Sequence, residues 1–365
     1  MSAPRPGERI ERVRHAIAAA GADWLLLAAG ADFRWLTGAV ARSTERLLAF
    51  ALPRRGRPFC LVPRLESDAL GAECPWLDLE VWADHEDAFA ALSRRMRLLT
   101  GPAILLGEGF RTAPLLRLAA HGRCRPAQSV LAPLRATKDA FEIRLMEEAG
   151  RNADRIMEQT ADFVRPGMTE KEVEAFVLDR FRALGDTEPW AIVASGPNSA
   201  LPHHASSGRK LAGGEVVLLD LGAYTGGYGS DTTRTFVLGT PPPDFQRVYD
   251  VVNQARAAGI AAARSRVPAE DVDRATREVI ERAGFGEQFT HRTGHGVGLE
   301  VHEPPYIVAG NAAPLEHGHV HSVEPGIYLP RRWGVRLEDL VVVEDRGARR
   351  LNHAPFDPLP PRLRR

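Results

Sequence analysis

An α+β protein in two parts is what this sequence predicts, on three observations. The first 135 or so residues alternate short apolar runs with amphipathic stretches, the texture changes at residues 133–138, and the remainder passes twice through the order helix, helix, strand, strand. A length of 365 residues suits two domains, and 44% apolar with 26% charged residues is the balance of a soluble globular protein.

Taken in order, residues 8–20 put Ile10, Val13 and Ile17 on one face and predict a helix that stops at Gly21. Residues 24–28, 47–52 and 59–62 are continuous apolar runs and predict buried strands. After the change of texture, a long helix is expected over residues 140–163. Pro166 and Gly167 then turn the chain, Thr169 opens a second helix with Glu172 completing a capping box, and Gly185 ends it. Residues 216–221 and 228–237 predict two strands joined by a Gly226-Gly227 hairpin. Helices over residues 245–264 and 269–283 precede further strands through residue 343. The repeated order implies an internal pseudo-twofold, with a site where the two sheets meet.

Charge excludes several functions. Lys+Arg and Asp+Glu both number 47, and the only dense basic run is Arg362, Arg364 and Arg365, read as a solvated end, so no nucleic-acid partner is expected. No window approaches 18 uninterrupted apolar residues, so no membrane partner is expected either. Cys60, Cys74 and Cys124 are odd in number and no charged, apolar, small-residue leader precedes them. Disulfides are not implied, and a cytoplasmic location is expected.

The chemistry concentrates in five residues: Asp220, Asp231, His295, Glu324 and Glu338. Asp220 ends the apolar run VVLLD, and Asp231 follows eleven residues later across the expected hairpin. Adjacent antiparallel strands lie about 5 Å apart, so two carboxylates on one face can grip ions from one side. Either aspartate alone reads more readily as a turn residue; a carboxylate ending a buried strand, however, is costly without a partner. His295 lies in THRTGHGVGLEVHE, where glycines 294, 296 and 298 permit close backbone approach to a ligand. Glu324 in SVEPGIY and Glu338 in GVRLEDLVVV sit in apolar runs, and Arg336 alone cannot balance both. Hard divalent ions take oxygen ligands with an occasional imidazole, and carboxylates bridge ion pairs, which points to hydrolysis by a metal-activated water. His317, His319 and His321 alternate along HGHVHS and are expected to face solvent; with His15, His85, His121 and His353 they are set aside as ligands.

DLGAYTGGYGSDTTRT, HRTGHGVGLEVHE, SVEPGIY and VRLED, in this order, closely resemble the pita-bread metallopeptidases: methionine aminopeptidase, aminopeptidase P, prolidase and creatinase. The resemblance spans roughly residues 138–355, and ASGPNSALPHH looks most like the Xaa-Pro branch. It implies a creatinase-like α/β domain over residues 1–135 and a pita-bread catalytic domain over residues 136–365. It implies that Asp220 chelates one of two divalent ions, that Asp231 and Glu338 bridge both, and that His295 and Glu324 complete the other shell. Mn²⁺ or Co²⁺ suit these donors best, with Zn²⁺ or Fe²⁺ tolerated. Glu324 is the implied proton shuttle, His302 and His203 the catalytic histidines (His204 less so), and His291, Arg336 and Tyr328 further substrate-side groups.

The substrates implied are small Xaa-Pro peptides and the assembly a homodimer. Xaa-Pro dipeptidase leads, with aminopeptidase P action on longer peptides as the alternative. A metal-free creatinase-like hydrolase or a non-catalytic peptide-binding module would be expected to have lost ligands, and all five stand here. One departure is HEPPY, where some prolidases carry an arginine for the dipeptide's carboxylate. Arg42 or Arg46, after WLTG, is expected to supply that clamp, the alternative being that both are surface charges.

Overall fold

Alternating apolar runs and helical patterns build the N-terminal unit of the computed structural model, which describes residues 6–356 and divides at Arg135 and Ala136. The basic run at Arg362, Arg364 and Arg365 lies outside the described residues. Helices α1 (Pro6–Ala19), α2 (Ala31–Thr37), α3 (Arg64–Glu73), α4 (Ala88–Met96), α5 (Thr112–Ala119) and α6 (Gln128–Ala136) accompany strands β1 (Trp24–Leu27), β2 (Ala49–Pro53), β3 (Phe59–Pro63), β4 (Asp78–Trp82), β5 (Ala103–Leu106) and β6 (Arg123–Pro126). The strands form one sheet in the order β4-β3-β2-β1-β5-β6, antiparallel only where β2 meets β1 and β3. Leu26, Phe59, Leu61, Leu92 and Ile104 fill its core. The three cysteines are free thiols, and burial pushes the Cys60 and Cys74 thiols up, away from reactive thiolate.

In the C-terminal unit, α7 (Ala140–Phe163) and α8 (Glu170–Ala183) both open on capping boxes, Asp139 with Glu142 and Thr169 with Glu172. They cover a sheet of β7 (Thr187–Ser195), β8 (Val216–Thr225), β9 (Tyr228–Gly229) and β10 (Thr232–Val237), in which β8 pairs with β7, β9 and β10. Alternation along β8 sets the site. Val217, Leu219 and Leu221 enter the core shared with Ile156, Val173, Val177 and Phe181, so Asp220 takes the opposite face. Helices α9 (Phe245–Ala262) and α10 (Ala269–Arg282) follow, then β11 (Gly294–Gly296), β12 (Glu303–Ile307), β13 (Val320–Val323), β14 (Gly326–Leu329), β15 (Trp333–Arg336), β16 (Asp339–Glu344) and β17 (Gly347–Arg350). The second sheet runs β12-β11-β13-β16-β17, and β14 and β15 form a separate hairpin. Among the described residues no helix is long and apolar enough to cross a membrane.

Two sequence expectations are corrected. Residues 228–237 are not one strand: β9 and β10 are separated at Ser230 and Asp231, where the Ser230 N–H donates to Ala223 O at 2.9 Å. The two-residue hairpin is present, with Gly226 at φ 58° and Gly227 at φ 94°, the left-handed pair this turn needs. The break lies against Gly222, where a Cβ would sit 2.2 Å from Ser230 O. Gly222→Ala is therefore expected to displace the Asp231 corner, lowering stability by about 1–3 kcal/mol and weakening metal retention, as thermal unfolding and metal analysis would report.

The second correction concerns the HGHVHS histidines. His321 is fully buried and His319 is buried, its Nδ1 accepting the Glu316 N–H at 3.1 Å; only His317 is exposed. Strand β13 is the middle strand of its sheet, with both faces covered, so alternation along it carries no solvent face.

Candidate metal centre and active site

Four of the five candidate ligands sit where a strand ends, breaks or bulges, and Asp220 sits within a continuous one. Asp220 lies in β8 opposite Thr233, Asp231 in the break before β10, His295 at an irregularity in β11, Glu324 between β13 and β14, and Glu338 between β15 and β16. Backbone bonds hold them there: Glu338 N donates to Thr233 O at 3.1 Å and Glu324 N to Thr293 O at 2.9 Å. His295 N donates to Ser322 Oγ at 3.0 Å. The His295 Nδ1 lies 3.2 Å from Gly296 O, an acceptor that can take an Nδ1 proton and so free the Nε2 lone pair for a cation.

Ligand atoms of Asp231, His295 and Glu338 fall within 4.8 Å of one another. His295 Nε2 is 3.7 Å from Asp231 Oδ2 and 3.3 Å from Glu324 Oε1. Arg336 donates to Asp220 Oδ2 at 2.6 Å, to Thr233 Oγ1 at 3.1 Å, to Tyr328 OH at 3.1 Å and to Pro202 O at 3.2 Å. Thr233 Oγ1 in turn donates to Glu338 Oε2 at 2.7 Å. One oxygen of Asp220 (Oδ1) and one of Glu338 (Oε1) are buried with no hydrogen-bond partner.

Electrostatics supports the same fit. Burial, then Glu338, Asp220 and Glu324, push the Asp231 carboxyl well above its ordinary range; burial, then Glu324 and Asp220, do so to Glu338. Burial also raises Asp220, against Arg336. Glu324 goes the other way: burial is outweighed by the His295 hydrogen bond and by His295, His291 and Arg336, which hold it at about 2. Four carboxylates converging on one paired guanidinium, with two orphaned oxygens and one imidazole lone pair, are a donor set that fits divalent cations and is unfavourable without them.

The cluster opens into a cavity of about 610 Å³ that brings together Asp220, Asp231, His295, Glu324, Glu338, His203, His291, His302 and Arg336. The rings of His295 and His302 are 4.2 Å apart; desolvation, His295 and Arg292 lower His302 to about 4, so it stays neutral at pH 7 and keeps one N–H to donate. Tyr328 is buried behind this wall, its hydroxyl 2.8 Å from His291 Nε2, and burial holds the phenol up at about 12. Arg46 is engaged within the N-terminal unit, donating to Asp84 at 2.8 and 2.9 Å and to Glu45 at 2.6 Å, while Arg42 is exposed.

Sequence reasoning missed five lining residues: Trp190, Ile192, Pro202, Val301 and Arg292. Arg292 is half-buried, its guanidinium 4.7 Å from the Tyr306 ring centre and paired with no carboxylate among the described residues. Its place three residues before His295 in a glycine-rich stretch was the available signal.

Comparison with known proteins identifies the family. A model described as Metallopeptidase family M24 matches residues 144–345, and one described as Creatinase/Prolidase N-terminal domain matches residues 9–104. The Mycobacterium tuberculosis protein named probable dipeptidase PepE is 40% identical over 96% of this chain and 95% of its own. The crystal structure of dipeptidase PepE from Mycobacterium ulcerans is 38% identical with a TM-score of 0.91, covering 97% of both chains. That of a recombinant prolidase from Thermococcus sibiricus is 33% identical with a TM-score of 0.93, covering 98% of this chain and 100% of the other. The two-domain architecture is thus that of the creatinase and aminopeptidase fold, and the chain belongs to metallopeptidase family M24.

Proposed function

We propose that the protein is an Xaa-Pro dipeptidase working with two divalent cations, Mn²⁺ or Co²⁺ first and Zn²⁺ or Fe²⁺ next. The observation that carries the hydrolytic reading is the convergence of four carboxylates and the His295 lone pair, with Asp220 Oδ1 and Glu338 Oε1 unpartnered, on one cavity. Relatives named dipeptidase and Xaa-Pro dipeptidase support the substrate class. Asp220, Asp231, His295, Glu324 and Glu338 would hold the ions, which when bound supply Lewis acidity and acidify a water near neutral pH.

The chain's own residues do the rest. The nitrogen of an Xaa-Pro bond carries no hydrogen and must be protonated as it departs; Glu324 takes the proton from the attacking water and delivers it there. His302 donates to the carbonyl oxygen as it gains charge, a contact whose loss costs about 10²–10³ in rate. His203 approaches the same carbonyl from the loop after β7. His291, held by Tyr328, walls the proline side, and Arg336 braces Asp220. Arg292, a lining guanidinium without an acidic partner, is a better candidate than Arg46 or Arg42 for the dipeptide's free carboxylate. The free cysteines and the family resemblance support a cytoplasmic homodimer.

The test is a panel of Ala-Pro, Met-Pro, Leu-Pro, Leu-Pro-amide and Leu-Pro-Ala assayed with Mn²⁺ and again after chelation. Chelation should abolish turnover, and Arg292→Ala should raise KM for Leu-Pro about 10–100-fold, the worth of a charge-assisted bidentate contact, while leaving Leu-Pro-amide unaffected. Preference for Leu-Pro-Ala over Leu-Pro would favour aminopeptidase P action. Loss of dipeptide selectivity in Arg46→Ala instead would return the clamp to the N-terminal unit.

A further inference from the structure

Glu170 is the first residue of α8, where a glutamate is ordinarily an exposed charge beside the helix N-terminus. Here the capping position is already served by Glu172, and the Glu170 side chain is fully buried. No lysine or arginine among the described residues is ion-paired with it. Its carboxylate instead accepts six hydrogen bonds. Oε1 receives Ser195 N at 2.8 Å, Ser195 Oγ at 2.8 Å and Asn198 Nδ2 at 3.0 Å. Oε2 receives Ser207 N at 3.0 Å, Ser207 Oγ at 2.6 Å and His204 Nε2 at 2.8 Å. This density of donors holds the carboxyl at about 2 despite its burial.

All six donors belong to residues 195–207, which leave β7 and return toward β8. None of residues 201–207 is buried, so this stretch has no apolar anchor of its own. Between the tied ends lie Pro202, whose carbonyl accepts from Arg336, and His203, which lines the catalytic cavity. His204 is turned to Glu170, and its neighbour His203 faces the cavity.

We infer that Glu170 is a positioning residue: by tying both ends of the 195–207 loop it sets His203 against the substrate carbonyl. The inference rests on the reading of His203 as a substrate-contacting group. Glu170→Gln replaces one acceptor oxygen with an NH₂ that faces three donors, and should let the loop shift without touching a candidate metal ligand.

The experiment is a double-mutant cycle in the Mn²⁺-loaded full-length protein, with Glu170→Gln, His203→Ala and their combination assayed for kcat and KM on Leu-Pro, beside metal content and thermal unfolding. Glu170→Gln should lower kcat about 10–100-fold, as misplacement of a reacting group by about 1 Å does, with KM and metal content little changed. In the His203→Ala background the same change should cost less than about two-fold, a non-additivity that a merely structural role would not produce. Should Glu170→Gln fail to fold, Asn198→Ala, which removes one of the six bonds, carries the same cycle with a few-fold effect. Equal losses in both backgrounds, or a loss that follows metal content, would overturn the inference while leaving the role of His203 intact. A fully active His203→Ala would overturn both.

Discussion

Asp231→Asn should abolish peptide hydrolysis and, in the presence of chelator, make the protein harder to unfold. The two effects have one cause. Asp231 is buried, and Glu338, Asp220 and Glu324 all push its carboxyl up, so in the metal-free fold its charge is opposed from three sides. Asparagine keeps the shape and removes the charge. As a bridging candidate its loss forfeits several kcal/mol of charge stabilisation, about 10³-fold or more in kcat/KM at 1.36 kcal/mol per decade. The stability gain has a definite pH dependence. A carboxyl raised on folding binds more protons folded than unfolded, so its penalty fades as pH falls to the unfolded value of about 3.9 and grows as pH rises toward the folded one. Melting curves of parent and variant in chelator should converge near pH 4 and separate by pH 8, with the variant higher. A variant that melts lower throughout would mean that Asp231 is not under like-charge strain.

Arg336→Met should do the opposite to stability. The guanidinium is buried and makes four hydrogen bonds, one to Asp220 at 2.6 Å and others to Thr233, Tyr328 and Pro202. Removing one member of a buried pair leaves an uncompensated charge and costs about 3–5 kcal/mol, which for a unit of this size is a melting decrease of roughly 10 °C. Lysine should recover only part of it, since a point charge cannot reproduce the fork that spans Asp220, Thr233 and Tyr328. The deficit should shrink when Mn²⁺ is present, because a cation beside Asp220 replaces the missing charge. Calorimetry of both variants with and without chelator measures this; a deficit unchanged by metal would place the arginine's contribution in packing.

What the sequence disclosed is what is decided locally. The Thr169 and Glu172 capping box needs only four residues in a row, and the Gly226-Gly227 turn only two. The Asp220 and Asp231 pair was legible because VVLLD puts a charge where burial forbids one without a partner. His319 and His321 were misread because the central place of β13 between β11 and β16, and the helices packed against it, are set by segments that the HGHVHS pattern cannot see. The interruption at Ser230 and Asp231 depends on a close approach to Gly222 from across the sheet. Arg292 escaped notice because the absence of a carboxylate partner is visible only in space. Glu170 looked like any helix-opening glutamate, since its donors lie 25 to 37 residues away.

The candidate ligands come from both sheets of the C-terminal unit, Asp220 and Asp231 on the side of β8 and β10, His295, Glu324 and Glu338 on the side of β11, β13 and β16. Cation capture and cohesion of the unit therefore draw on the same free energy. A cell starved of the ion would lose this enzyme twice, first as idle protein and then, as the unclamped layers open to proteases, as protein altogether.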